Sequence, residues 1–311
     1  MRVTSQTFPS SLTSQLNSLA ERQNALQTEA ATGQRISLPE DDPAAMRRVL
    51  DMESETKNIA QYKSNISSQL ELASVSFNSV QGLKKIVDRA GEIATLADGL
   101  KSPQELSLYG KEVGELVKQA LQLTNTKNRG DYIFSGTKSD ASPFTATFDN
   151  NQNITSVSYQ GNTTVSEVEI SEGVTLSSQA PGANTTGTGP AGLVTDTRTG
   201  ADLFAHLISL QQNLTSGNTA AIAATDRGAI AKDEEHMAYH IGTNGAVQAR
   251  LDTTNAILDQ RQLSLEGLVS KETDADLAQT LVHLHETQSA YQAALQSGAS
   301  MLSRSLLDYL H

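Results

Sequence analysis

Cysteine and tryptophan are both absent from the 311-residue sequence, and aromatic residues make up only 4% of it. Without cysteine the chain has neither a disulfide nor a thiolate metal site. This suits an exported protein that must not cross-link, although it does not by itself define a compartment. The hydrophobic content of 37% is low for one compact globule. It favours long helices that pack through a narrow seam of aliphatic side chains.

Long apolar runs and strongly basic blocks are also missing. No run approaches the roughly 20 apolar residues that a membrane span requires, and the N-terminal segment has no apolar stretch like that of a signal peptide. The sequence therefore predicts a protein that is cytosolic or that leaves the cell without a cleaved leader. The net charge of −12 argues against nucleic acid or an anionic membrane as a partner.

Heptad periodicity occupies both ends of the chain. The first pattern runs from about residue 11 to 32, and its seam is Leu12, Leu16, Leu19, Gln23, Leu26 and Ala30. The last pattern is the more regular one, and its seam is Leu277, Leu281, Leu284, Gln288, Tyr291, Leu295, Gly298 and Leu302. Two such amphipathic ends predict an antiparallel helix pair.

The middle of the chain changes character twice. Helical patterns are predicted from about 43 to 97 and again from Pro103, where Ser102 and Glu105 form a capping box and Gly130 is interpreted as the helix stop. From about 139 to 199 Gly, Ser, Thr and Asn dominate, and short alternating runs predict exposed antiparallel strands. Residues 181–192 are predicted to form a flexible loop. Helical signal returns after residue 200.

These patterns predict a mainly α fold, an elongated antiparallel helical bundle or coiled coil formed by both chain ends, with a small β-rich insert domain. Residues 1–32 and 275–311 would form a terminal coiled-coil domain that is the core of assembly. Residues 33–138 and 200–274 would form a helical rod, and residues 139–199 a surface-exposed insert.

The stretch "TGQRISLPEDDPAA" (32–45) collects glycine, proline and three acids between two helices. Gly33 fits the left-handed position after a helix end. Asp42 followed by Pro43 fits an N-cap and a first helical residue, and the acids just before them suit the positive end of the next helix dipole. A metal site would need further oxygen ligands from elsewhere in the chain. We therefore interpret the stretch as residues that end one helix and cap the next, which leaves Arg35 unexplained.

No constellation of residues predicts catalysis, a metal site or a cofactor. His236 and His240 are one helical turn apart, but a zinc protease helix needs Glu directly after the first histidine, and that residue is Met237. We expect these histidines to be solvated or partly packed. The sequence also contains no nucleophile elbow, phosphate loop or dinucleotide fingerprint.

Several motifs together resemble the flagellin superfamily. "TGQRISLPEDDPAA" is similar to the junction between its first two helices, and "NRGDYIFSGTKSDASPF" to the turn before its outer domain. "GAVQARLD", "DADLAQTLVHLHETQSAYQAAL" and the terminal "SLLDYL" resemble its C-terminal signature. The Asp-Asp-Pro form and the close at "SLLDYL" are more similar to the members at the junction of hook and filament than to filament flagellins.

The resemblance implies a structural, non-enzymatic protein of the bacterial flagellum, exported through the flagellar type III channel and extracellular. It implies a ring of identical subunits, with the hook-side junction protein, flagellin and an export chaperone as partners and no cofactor. Assembly contacts are expected at Leu12, Leu16, Leu19, Leu26, Arg35, Asp41, Asp42, Pro43, Leu281, Leu284, Tyr291, Leu295, Leu302 and Leu306. The alternatives are a filament flagellin and a cytosolic coiled-coil adaptor or chaperone.

Overall fold

Helices account for most of the chain. The computed structural model describes the backbone of residues 7–309 and the side chains of residues 10–300. Its helices are α1 (Thr7–Thr32), α2 (Pro43–Leu96), α3 (Pro103–Thr124), α4 (Leu203–Ser216), α5 (Thr219–Ala221), α6 (Arg227–Thr273) and α7 (Leu277–Tyr309), with a π-helical turn at Ile222–Asp226. The predicted mainly α fold is confirmed. Over the described residues, none of the helices has the length and hydropathy of a membrane span.

Short strands fill the chain between α3 and α4. Three antiparallel pairs are formed by β1 (Lys127–Asn128) with β2 (Asp131–Tyr132), β3 (Phe144–Phe148) with β4 (Ile154–Tyr159), and β5 (Val168–Ser171) with β6 (Val174–Leu176). A three-stranded sheet centres on β8 (Thr195–Asp196), which is parallel to β7 (Ala183–Asn184) and antiparallel to β9 (Ala201–Asp202). The predicted small β-rich insert is therefore present.

The chain forms two compact units. The first comprises residues up to 58 together with residues from 260 onward, and the second comprises residues 59–259. The second unit contains the main hydrophobic core, built from α2, α3, α4, α6 and the strands β3 and β4, with Leu83, Val113, Phe134, Leu207 and Leu210 fully buried. Gly110 and Gly114 let α3 approach α4 closely, since a Cβ at either position would lie 2.7 or 2.6 Å from a side-chain atom of α4.

Helix α3 shows the predicted start but not the predicted end. Ser102 and Glu105 form the capping box. The helix ends at Thr124 rather than at Gly130, because the Asn125 side chain bonds the first long strand: its amide donates to Phe144 O at 2.9 Å, and its oxygen accepts the Phe144 N–H at 3.1 Å. Gly130, with φ of 102°, instead belongs to the turn between β1 and β2.

The segment 181–192 differs from the flexible loop that its composition predicts. Residues 181–184 are buried, and the Asn184 amide donates to the carbonyls of Thr188 and Pro190, both at 2.7 Å. A Cβ at Gly192 would lie 2.3 Å from the backbone of Asn184 and of Thr195. Here Gly, Pro and Asn mark tight turns held by side-chain hydrogen bonds, which composition alone does not distinguish from mobility.

The histidine pair on α6 is also more enclosed than expected. His236 and His240 are 3% and 7% exposed. Their Nε2 atoms donate to one acceptor, the carbonyl of Gly192, at 2.7 and 3.1 Å. The expectation of solvated or partly packed histidines is wrong for this pair, because a loop 44 residues away in sequence covers them.

Candidate assembly interface

Two linkers of the first unit run side by side, one joining α1 to α2 and the other joining α6 to α7. Gly33 has φ of 71° directly after α1, as predicted, and its carbonyl accepts the N–H of Ala275 at 2.8 Å. The N–H of Arg35 donates to Thr273 O at 2.7 Å. We call residues 33–35 and 273–275 the paired linkers. Their hydrogen bonds fix the place where α1 and α7 come together.

An ionic clamp secures the paired linkers. The Arg35 guanidinium donates to the Glu272 carbonyl at 2.7 Å. This contact gives Arg35 a role that the helix-end interpretation of the sequence left unexplained. Arg48 of α2 donates through Nε and Nη2 to the two carboxylate oxygens of Glu272, at 3.0 and 2.8 Å. This two-pronged geometry is the strongest form of an arginine–carboxylate pair. Hydrogen bonding to Arg48, and then its charge, lowers the pKa of Glu272 below its ordinary value.

The acids of the linker stabilise backbone N–H groups. Asp42 Oδ1 accepts from Ala44 and Ala45 at 3.2 and 3.0 Å, so it caps α2 as predicted. Asp41 acts differently from the prediction: its Oδ2 accepts the N–H groups of Leu38 and Ser37, at 2.8 and 3.0 Å, and closes the turn before α2. These backbone hydrogen bonds, that of Leu38 first, lower the pKa of Asp41.

Helices α1 and α7 form an antiparallel pair. Thr280 Oγ1 near the start of α7 donates to Glu29 Oε1 near the end of α1 at 3.0 Å. Towards the other end of the pair, a Cβ at Gly298 would lie 2.5 Å from Leu12 Cδ2. On α1 the predicted seam is half-buried, at Leu12, Leu16, Leu19 and Leu26. The predicted pairing of the chain ends is therefore confirmed for the described residues.

The face of α7 that α1 covers is rotated from the predicted seam. The residues with least exposure are Thr280 at 3% and Thr287 at 6%, with Gly298 also buried. Leu284 and Tyr291 are half-buried, as part of the same face. The remaining leucines of the predicted seam are exposed: Leu277 and Leu281 at 49% and Leu295 at 45%. Leu302 and Leu306 lie beyond the described side chains.

The covered face of α7 thus contains threonine and glycine beside the half-buried Leu284 and Tyr291, while an apolar edge of α7 stays open to solvent. We call Leu277, Leu281 and Leu295 the leucine edge. Further large apolar side chains of this unit are exposed as well, namely Leu38, Leu50, Leu263, Leu268 and Val282. Isolated exposed leucines are common on proteins, but a row of them along one helix suits contact with another protein surface.

The sequence patterns did not identify the residues that hold the paired linkers together or those that are buried between α1 and α7. Glu272 and Arg48 lie 224 positions apart, and no local pattern connects them. Thr280 and Thr287 are spaced by one heptad, and this spacing could have indicated that they share the helix face in the seam. Heptad seams are normally identified by apolar residues, so two threonines do not stand out.

Comparison with known proteins adds to this geometry. Residues 3–139 match the bacterial flagellin N-terminal helical region. No curated protein sequence shows significant similarity to the chain. The solved structures with the same fold include a flagellar hook-associated protein of Vibrio parahaemolyticus, which is 21% identical with a TM-score of 0.63 and covers 75% of this chain and 100% of its own.

Two further structures show the same fold. The flagellar junction protein FlgL of Legionella pneumophila is 13% identical with a TM-score of 0.57, covering 73% of this chain and 100% of its own. FlgL of Bacillus cereus is 18% identical with a TM-score of 0.55, covering 71% of this chain and 99% of its own.

The region from residue 3 to residue 139 is thus of the bacterial flagellin N-terminal type, and the expected resemblance to the flagellin superfamily is confirmed for these residues. The fold of the chain is the one seen in the hook-associated and junction proteins named above.

Proposed function

We propose that this chain is a structural subunit of the junction between the flagellar hook and the flagellin filament. The flagellin-type N-terminal region supports a flagellar role, and the fold shared with junction proteins favours this position over the filament. The "DDP" and "SLLDYL" motifs favour the same choice. In this role the chain is a building block and not an enzyme.

The leucine edge is the observation that carries the proposal. Full burial of one leucine side chain contributes roughly 1.5 to 3 kcal/mol. Leu277, Leu281 and Leu295 are still 45 to 49% exposed when α1 and α7 are paired, so about half of that contribution is left for an intermolecular contact. A neighbouring copy that covered this edge would add the remaining burial, and assembly would then stabilise the helix pair.

The partners follow from this position. We infer a ring of identical subunits, with the hook-side junction protein on one side and flagellin on the other. Before assembly, an export chaperone would cover the same apolar helices, and the chain would reach the cell exterior by type III export. Arg35, Asp41, Asp42 and Pro43 would act indirectly, by fixing where α1 and α7 meet.

Deletion of the gene tests the role. Electron microscopy of the deletion strain is expected to show hooks without filaments, with flagellin shed into the medium. Normal filaments would exclude the junction role. Hooks with no flagellin in the medium would instead favour filament flagellin, and an unchanged flagellum with cytosolic protein would favour an adaptor or chaperone.

A point substitution tests the leucine edge itself. Leu295→Asp places a charge in the proposed contact, whereas Gln292→Asp adds the same charge at an exposed polar position on the same helix. In the complemented deletion strain, Leu295→Asp is expected to abolish filaments and Gln292→Asp to restore them, while both purified proteins unfold as the wild type does. Full complementation by Leu295→Asp would show that this edge makes no assembly contact.

A further inference from the structure

An open cleft lies in the second unit, between the segment 189–191 and helix α6. Its volume of about 550 Å³ falls within the range of pockets that hold a small ligand. The segment contributes Pro190 and Ala191 to one wall, and α6 contributes Lys232, Glu235 and Tyr239 to the other. The cleft uses none of the residues of the leucine edge, so it is independent of the proposed assembly contact.

The segment wall is held in one conformation by side-chain hydrogen bonds. Arg198 Nη1 donates to the Gly189 carbonyl at 3.1 Å, and its Nε donates to Asp196 Oδ1 at 2.9 Å. Asp196 is 1% exposed, and its Oδ2 accepts the N–H of Gly192 at 3.0 Å. A cleft whose wall is fixed in advance loses little conformational entropy when a ligand binds.

The helix wall, in contrast, carries polar groups that are not engaged within the protein. The side chains of Lys232, Glu235 and Tyr239 are exposed, and among the described residues none of the three makes a hydrogen bond or an ion pair. Lys232 and Glu235 are three positions apart on α6, a spacing at which opposite charges often bond each other. Because they do not, both groups are available to a ligand in the cleft.

Tyr239 adds a supported aromatic surface to this wall. Its ring is nearly parallel to that of His236, at 19° with 6.5 Å between the ring centroids, and it meets the His240 ring at 79° and 5.4 Å. Both histidines are buried, whereas Tyr239 is 57% exposed. The tyrosine ring is therefore held in place while it keeps a large apolar area for contact.

The charges of the cleft indicate which class of ligand fits. Its charged lining residues are two acids and two bases, with Arg198 paired to Asp196 and Lys232 balanced by Glu235. A net charge of zero gives no electrostatic preference for a phosphate or for a polycation. A pyranose ring suits the remaining groups, because its C–H groups form an apolar face and its hydroxyls both donate and accept hydrogen bonds.

We propose that this cleft binds a neutral oligosaccharide, with one pyranose ring stacked on Tyr239 and its hydroxyls bonded to Lys232 and Glu235. Lys232 supplies donors and Glu235 supplies acceptors, so together they recognise neighbouring hydroxyls. The cleft is larger than a single hexose, so a short oligosaccharide fills it better than a monosaccharide. The segment 189–191 forms the second wall around the bound sugar.

NMR titration of the purified full-length protein tests this proposal. The neutral probes are maltotriose, cellotriose and triacetylchitotriose, and the charged probes are inorganic phosphate and spermidine. At least one trisaccharide is expected to cause saturable shifts of the amides of residues 189–191 and 232–239, whereas the charged probes cause none. Absence of saturable shifts with all three sugars, or saturable binding of phosphate or spermidine in the cleft, would overturn the proposal.

Substitutions on α6 identify the contacts. Tyr239→Ala is expected to weaken sugar binding about tenfold, while Tyr239→Phe keeps the ring and most of the affinity. Glu235→Ala should also weaken binding, and Glu234→Ala is the matched control, since Glu234 is the exposed neighbour that does not line the cleft. Because these side chains are exposed, all four variants should melt as the wild type does. Equal sugar affinity in Tyr239→Ala and wild type would contradict the stacking contact and with it the proposed site.

Discussion

Acidification from pH 7 to pH 4 should destabilise the second unit through His240. Burial first, and then the nearby His236, lowers the pKa of this imidazole to about 4. The rings of the two histidines are 4.7 Å apart. The Gly192 carbonyl and the charge of Asp196 act in the opposite direction, but Asp196 is already paired with Arg198. Lys232 and Glu235 face the chain segment 189–191, and the two side chains carry opposite charges.

The sign and size follow from linkage. An imidazole has an ordinary pKa of 6.5, and here it is about 4. Because the unfolded chain binds the proton more tightly, the contribution to stability is complete above pH 6.5 and is lost as the pH falls towards 4. One pKa unit corresponds to about 1.4 kcal/mol, so the loss between pH 7 and pH 4 is about 3 kcal/mol.

Urea unfolding at a series of pH values measures this loss, and one variant isolates it. His240→Gln keeps an N–H that reaches the Gly192 carbonyl but does not titrate. Its free energy of unfolding should therefore fall less than that of the wild type between pH 7 and pH 4, with a difference of about 3 kcal/mol. His285→Gln, at an exposed position, is the matched control and should follow the wild type. Parallel pH profiles for His240→Gln and wild type would refute the reasoning.

Three further predictions concern the first unit. Asp42→Ala should cost about 0.5 to 2 kcal/mol by removing the cap of α2, and thermal melting should show no stabilisation by Ca²⁺ or Mg²⁺; a large rise with either ion would indicate a metal site instead. Gly33→Ala should cost about 1 to 2 kcal/mol, because an alanine is strained at this positive φ, and an unchanged melting temperature would contradict it. Arg48→Ala should speed amide exchange in the paired linkers, whereas Arg47→Ala should leave it unchanged; equal exchange in both would show that the ionic clamp is not needed.

Much of the fold could be predicted because its signals are local. Helix ends depend on neighbours in sequence, and Gly33, Asp42 and the Ser102–Glu105 box all act within one turn of the chain. Alternation over a few residues likewise located strands β4, β5 and β6. These interactions are short-range, and composition and spacing record them directly.

The long-range contacts could not be predicted in the same way. The end of α3 depends on an Asn125 side chain that bonds a strand 19 residues later. The ionic clamp at Glu272 and the hydrogen bonds from His236 and His240 to Gly192 join segments that no periodicity in the sequence connects. In each case the deciding partner is a backbone carbonyl or a charged group brought close by the fold, and the sequence marks only one side of the contact.

The seam between α1 and α7 differs from the one that the leucine pattern predicts, and the difference lowers the expected stability of the helix pair. An aliphatic heptad seam would bury its leucines within one molecule and make the terminal pair stable alone. Here Thr280, Thr287 and Gly298 are the residues of α7 that the pair buries fully. Leu284, Tyr291 and the leucines of α1 are only half-buried, and the leucine edge remains about half exposed. Threonine and glycine contribute little apolar area, while ordering a helix costs about 1 to 2 kcal/mol per residue before packing offsets it. The pair is therefore expected to be marginal in a single chain and to become stable when a neighbour covers the leucine edge. In the proposed junction, such a pair would become rigid only when a neighbouring copy is in place.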